Sequence, residues 1–255
     1  MRLVLVQPAL ALEAGARNAD VIVDDVRRAG LTLAAEDIVL LPEHWCTAGS
    51  GDAYETEVRR IARALGCRVF GGSHHREGPD GVVNTGAACA ADGTLLGRWE
   101  KLRPYATERD RVRCGTLRGE VVIDGRRFLV LVCADFWFAD VIQSVTELPD
   151  VVLVPALSVT RKPSPAYSRA LWRHLAVARA YEYGVYVGVS DWAADARLPA
   201  LHTAGVAGFA DPTTVDADAL FRPVGDARVA VHALDFAALD AFRADRRARG
   251  FFWRS

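Results

Sequence analysis

Short apolar runs rich in Val, Ile and Leu recur along the chain at 2–7 (RLVLVQ), 37–43 (DIVLLPE), 68–75, 85–91, 94–101, 120–124, 127–133 (RFLVLVC), 150–157, 184–191, 204–211 and 228–235. Runs of this length, bounded by turn residues, predict strands buried on one or both faces. Helical spacing of apolar positions predicts helices at about 15–29, 52–65, 139–147, 165–182 and 236–247. Within 165–182, Ala166, Ala170, Leu171, Leu175, Ala178 and Tyr181 fall on one stripe and predict its buried face, and Gly184 supplies a stop signal. Helices alternate with strands in each half. The middle is nearly all strand, with hairpin turns at Ala91-Asp92-Gly93 and Asp124-Gly125. The pattern predicts an α/β fold of mixed sheets covered by helices. No linker, low-complexity tract or short repeat divides the chain, so one domain over 1–255 is expected.

Composition narrows the partners. The 255 residues are 51% hydrophobic and carry a net charge of −1, with a pI near 6.6. This is an ordinary globular balance with no electrostatic footprint for nucleic acid or an anionic membrane, so a small-molecule or protein partner is expected. No apolar run approaches the roughly 20 residues of a membrane-spanning helix. The opening apolar run superficially resembles a signal peptide, but Gln7 and Pro8 interrupt it and RLVLVQ reads better as a strand. Five widely spaced cysteines (Cys46, Cys67, Cys89, Cys114, Cys133) contain no C-x-x-C pair, which argues against a disulfide framework and a zinc ribbon. A cytoplasmic location is expected.

Three predicted strands finish on a reactive side chain: DIVLLPE on Glu43, TLLGRWEK on Lys101 and RFLVLVC on Cys133. In open α/β sheets, sites gather beyond the carboxyl ends of strands, so three such endings form one candidate site. Taken singly, a strand-end cysteine is more often core, and a Pro-Glu pair more often a solvated loop. Composition weighs for Lys101, because only two of the 31 basic residues are lysine. An ammonium is a compact charge, whereas a guanidinium is a plane. Lys162, the other lysine, has no strand-end setting and reads as a surface charge. ADFWFADVIQSV follows Cys133 and predicts a helix whose positive N-terminus favours the thiolate.

The order Glu in LPE, Lys in GRWEK and Cys in VLVCAD resembles the nitrilase superfamily of carbon–nitrogen hydrolases. The likeness extends over VLVQPALA with Asn18, NTGAACAADGTLLGRWEK, the Cys133-x-Asp135 pair, ARAYEYGVYVGVSD and HTAGVAGFADP. It implies a four-layer αββα sandwich, two mixed sheets and a homodimer or higher homo-oligomer, with the tail 250–255 covering an interface or folded on its own core. It also implies a Glu-Lys-Cys triad. Cys133 would be the nucleophile, Glu43 the proton shuttle, and Lys101 with the Ala134 backbone N–H the oxyanion site. Glu108 matches a second glutamate that positions substrate or lysine in many members. Hydrolysis of a small amide is the favoured reading, with nitriles and carbamoyl compounds also possible.

Departures from the family pattern bear on substrate. Trp137 stands where an arginine recognises carboxylates in some members, which lowers the odds of acidic substrates. Phe136, Trp137, Trp45 and Tyr105 suggest an apolar or planar pocket wall. Arg103 or Arg161 could restore an anion site. Asp135 is expected to hold the turn after the nucleophile, and Arg179 with Glu182 to form a structural pair. No metal or other cofactor is expected: His74 and His75 are adjacent on a strand and face opposite sides, and His202 and His232 have no ligand partner at a telling spacing. Three rivals stand beside the hydrolase: acyl transfer through the same triad, a non-catalytic binding module, and a metal-dependent phosphoesterase enlisting Glu43, Asp191, His202 and Asp211. The last leaves Lys101 and Cys133 unexplained.

Overall fold

The computed structural model describes residues 1–13, 15–47, 50–161, 164–196, 198 and 202–254. In chain order the elements are β1 (Arg2–Val6), α1 (Asn18–Arg28), β2 (Ile38–Leu40), α2 (Gly51–Leu65), β3 (Arg68–Phe70), β4 (His74–Gly78), β5 (Gly81–Cys89), β6 (Leu95–Glu100), β7 (Gly119–Ile123), β8 (Arg126–Val130) and α3 (Ala139–Gln143). There follow β9 (Val151–Pro155), β10 (Val159–Thr160), α4 (Pro165–Tyr183), β11 (Tyr186–Ser190), β12 (His202–Thr203), β13 (Gly208–Ala210), β14 (Phe221–Pro223), β15 (Val229–Ala233) and α5 (Phe236–Ala248).

Two mixed sheets result. One runs β15-β1-β2-β3-β5-β4 with β6 paired to β5; the other runs β14-β13-β11-β9-β8-β7. The parallel cores are β1-β2-β3 and β8-β9-β11, and antiparallel strands extend each outward. Alternation along β1 explains the layering: Leu3 and Leu5 join the apolar cluster containing Phe128, Val130 and Val187 of the second sheet, while Val4 and Val6 pack with Ile22, Val26, Val58 and Ile61 of α1 and α2. Gly188 lets the sheets approach, since a Cβ there would meet Leu3 Cδ2 at 2.5 Å. Helices on the outer faces complete a four-layer αββα sandwich.

Local chemistry sets the helix limits. Ser50 and Ser164 accept the N–H of Ala53 and Ala166, and Gly66 and Gly184 end α2 and α4 at φ of 65° and 62°. Helix α4 corrects the predicted stripe. Its buried residues are Trp172, Ala176, Ala180 and Tyr183, whereas Leu171, Ala178 and Tyr181 are exposed. The helix carries two apolar faces, and the one that turns inward sets Trp172 and Tyr183 on either side of the small Ala176 and Ala180. The tail folds back here: the Trp253 ring meets Tyr183 edge-on at 4.8 Å, while Phe251 remains exposed.

Candidate functional site

The sheets end one to three residues before the three chemical side chains: β2 stops at Leu40, β6 at Glu100 and β8 at Val130. Each side chain therefore sits in a loop just past its strand, free of the ladder yet held by it. Glu43 is clamped from both sheets. Its N–H donates to Ala156 O at 3.2 Å, its carbonyl accepts Trp192 Nε1 at 2.7 Å, and His44 N donates to Ser73 O at 2.7 Å. Gly72, at φ 66°, is required here because a Cβ would lie 1.9 Å from Pro42 O. Lys101 is fixed through its backbone, with N–H donating to Asn84 O and carbonyl accepting Gly115 N–H, each at 2.8 Å.

The side chains converge in the interior. Lys101, 2% exposed, places Nζ 2.7 Å from Glu43 Oε1 and 2.6 Å from Glu108 Oε2. Asn84, on β5, donates through Nδ2 to Glu43 Oε1 at 2.9 Å and to Glu108 Oε1 at 3.0 Å. Glu108 lies in a 3₁₀ turn over Ala106–Asp110 and also accepts the Tyr105 N–H at 3.0 Å. Its Oε1 faces two imidazoles, His75 Nε2 at 2.8 Å and His44 Nε2 at 3.4 Å. Burial pushes the Glu108 carboxyl up, but the imidazole hydrogen bonds and the Lys101 ammonium outweigh it and hold the group well below the usual carboxylate range. Burial likewise opposes the Lys101 charge, yet Glu43, Cys133 and Glu108 together raise its pKa above the ordinary value.

Cys133 opens a 3₁₀ turn over Cys133–Trp137, at φ 47°. A non-glycine residue in this left-handed region is held there by its surroundings. The main fastening is Asp135, whose carboxylate accepts the N–H groups of Leu102 at 3.1 Å, Arg103 at 2.8 Å and Val132 at 3.3 Å. Asp135 thus holds its turn, as expected, and also reaches across to the loop after Lys101. Burial raises its pKa to about 6. The sequence points to a turn that favours the Cys133 thiolate, and the surroundings act on the thiol in both directions. Burial, then Glu43, push it well above the ordinary thiol value, and Lys101 only partly opposes them. A five-residue 3₁₀ turn aligns too few peptides to supply the expected helix-end field.

The predicted aromatic wall divides. Tyr105 is 58% and Trp137 41% exposed, but Phe136 is fully buried and stacks on Trp172. Trp45 is buried in the outer core, where Nε1 donates to Gly71 O. These two are packing residues in this structure, because a large ring next to a strand end finds more apolar contact inward than across a cleft. Ala134 is buried beside Cys133. Arg103 is engaged by Asp140 and stacks over Phe138 at 4.0 Å. Arg179 and Glu182 pair at 3.1 Å as expected. Lys162 lies outside the described residues.

The phosphoesterase constellation does not assemble among the described residues. Asp191 accepts from Ser158 and Val206 backbone N–H groups, and Asp211 from Thr213. The one group of three His, Cys, Asp or Glu ligand atoms gathered within 4.8 Å among them is His44, His75 and Glu108. The strand alternation that separates His74 from His75 is present: His74 is buried and stacked on Tyr54, and burial lowers its pKa to about 4. Sequence reading missed the partner that His75 does have, His44, and it missed Asn84. The only sequence signal was proximity, His44 following Glu43 and Asn84 lying on the strand that pairs with the one before Lys101.

No protein-family model matches the chain, and no curated protein sequence does. Solved structures do. An amidase from Nesterenkonia sp. superposes with a TM-score of 0.74 at 23% identity, over 98% of this chain and 96% of that one. Nit3 of Saccharomyces cerevisiae, a member of branch 10 of the nitrilase superfamily, gives 0.76 at 19% identity over 96% and 93%. XC1258 from Xanthomonas campestris, a CN-hydrolase superfamily protein, gives 0.74 at 24% identity over 98% and 94%. The two mixed sheets, their covering helices and these superpositions together identify the fold of this chain as that of the nitrilase superfamily.

Proposed function

We propose that the chain is a single-domain carbon–nitrogen hydrolase acting on a small amide through a thioester on Cys133. One observation carries the reading: Lys101 Nζ is buried between Glu43 and Glu108, and the charges of Lys101 and Glu43 both act on the Cys133 thiol. In the first half-reaction Glu43 takes the proton from Sγ as the sulfur attacks the carbonyl carbon. The oxyanion is stabilised by Lys101 Nζ and the Ala134 N–H. The tetrahedral adduct then collapses, the C–N bond breaks, and Glu43 returns the proton to the departing nitrogen. In the second half-reaction Glu43 deprotonates water, which attacks the thioester, and the acid leaves as the thiol regains its proton. A neutral resting thiol is consistent with this sequence, because the proton leaves only as attack begins. Glu108 holds Lys101 through a second hydrogen bond beside that to Glu43. Exposed Tyr105 and Trp137 are the candidate substrate contacts.

The amidase from Nesterenkonia supports the reading at the level of its own chemistry, since a variant of it shows Michael addition of acrylamide at the active site cysteine. We extend the reading to self-association through the outer face of α4, where Leu171, Tyr181 and Phe251 are exposed; sedimentation equilibrium reads this directly. The test of function is intact mass after exposing the protein to a panel of simple amides and nitriles. An acyl adduct on Cys133, absent in Cys133→Ala and formed at least 100-fold more slowly in Lys101→Arg, is the expected result. No adduct and no turnover on any member would turn the reading toward a binding module.

A further inference from the structure

We infer that His44, His75 and Glu108 form a site for one zinc-like divalent ion that switches the proposed catalytic centre off. The two imidazole Nε2 atoms lie 3.4 and 2.8 Å from Glu108 Oε1, and the three ligand atoms fall within 4.8 Å of one another. Tetrahedral zinc, with bonds of about 2.0–2.2 Å, places its ligands a little over 3 Å apart, so modest side-chain rotation suffices. Two nitrogens and one carboxylate oxygen are a donor set zinc accepts, leaving a fourth position for water.

Charge favours a cation at this place. Glu43 and Glu108 face one ammonium, Lys101, so the formal charges leave one negative charge over. The imidazoles are half-buried, which keeps a route from solvent, and they meet edge to face at 4.4 Å between ring centres. Asn84, hydrogen-bonded to Glu108 Oε1, stands behind the carboxylate as an orienting neighbour.

The inhibitory consequence follows from the two oxygens of Glu108. Oε2 holds Lys101 and Oε1 faces the histidines. An ion on Oε1 withdraws charge from the carboxylate and loosens its grip on the ammonium that the proposed mechanism needs. Metal binding itself is independent of that mechanism.

The experiment therefore separates the two. Cys133→Ala protein is titrated with zinc chloride by calorimetry and with cobalt chloride by absorption. The expected result is one ion per chain, cobalt d–d bands of tetrahedral strength without a thiolate charge-transfer band, and binding weakened about 100-fold or more in Cys133→Ala carrying His44→Asn or His75→Gln. In the protein with Cys133 intact, zinc lowers any amidase activity and a chelator restores it. Zinc affinity unchanged by both histidine substitutions, binding that disappears with Cys133→Ala, or no binding at micromolar zinc would each overturn the inference.

Discussion

Asp135 Oδ1 accepts the backbone N–H of Arg103 at 2.8 Å, and this bond fastens the turn carrying Cys133 to the loop carrying Lys101. The same carboxylate accepts Leu102 N–H from that loop and Val132 N–H from its own. The loops carrying Cys133 and Lys101, far apart in sequence, are thereby held by one carboxylate. Asp135 is 1% exposed, and its burial has a measurable signature.

Its pKa of about 6 stands above its ordinary value of 3.8, so between these pH values the folded state binds a proton that the unfolded chain releases. This contribution to stability is fully present below about pH 3.8 and is lost as pH rises through 6. Asp135→Asn has no such titration. The urea unfolding free energy of wild type relative to that variant should fall by about 2 kcal/mol between pH 4 and pH 7. A constant difference across that range would mean that Asp135 is not desolvated as described.

Glu43→Gln is expected to move thiol reactivity and turnover in opposite directions. Its charge raises the Cys133 thiol pKa, second only to burial, so Glu43→Gln should shift the pH profile of iodoacetamide alkylation at Cys133 to lower pH. The same variant lacks the proposed proton carrier, and turnover of any amide substrate should drop by about 10²–10⁴-fold. Faster labelling with slower turnover is the paired outcome to look for by mass spectrometry and steady-state kinetics.

Gly72 supports the site without contributing a functional group. At φ 66°, with a Cβ position 1.9 Å from Pro42 O, Gly72→Ala must displace the Pro42–Glu43 backbone. Destabilisation of about 2 kcal/mol or more is expected in urea unfolding, beyond the 1 kcal/mol or so of an unfavourable φ alone. Gly81→Ala, with nothing within 4 Å of its Cβ and φ 99°, controls for backbone strain.

The neighbouring aromatics Phe136 and Trp137 should part company. Phe136, enclosed against Trp172, should cost about 3–5 kcal/mol on change to alanine. Trp137→Ala removes a half-exposed ring that touches Trp172 edge-on at 5.6 Å, so its stability loss should be much smaller. If that ring contacts substrate, KM rises more than kcat falls. An unchanged KM would remove Trp137 from the substrate contacts.

What sequence alone determined about this protein is the part written in local pattern. Apolar runs and helical periods place most of the strands and all five helices of the described fold, because alternation and 3.6-residue spacing are properties of the segment itself. Glu43, Lys101 and Cys133 stood out for a related reason: strand-end residues in a fixed order carry a family resemblance, and Glu108 entered through that resemblance. The tertiary structure decided everything that depends on which surfaces meet. It turned the Trp172 and Tyr183 face of α4 inward, and it drew Phe136 and Trp45 into the core. It set the Cys133 thiol above its ordinary pKa, since burial is a property of the whole sandwich and outweighs the local turn. His44, His75 and Asn84 came together around Glu108 only when the sheet order brought the end of β2 near β4 and β5. Side chains 24 to 41 residues apart share a hydrogen-bond network that no local spacing encodes.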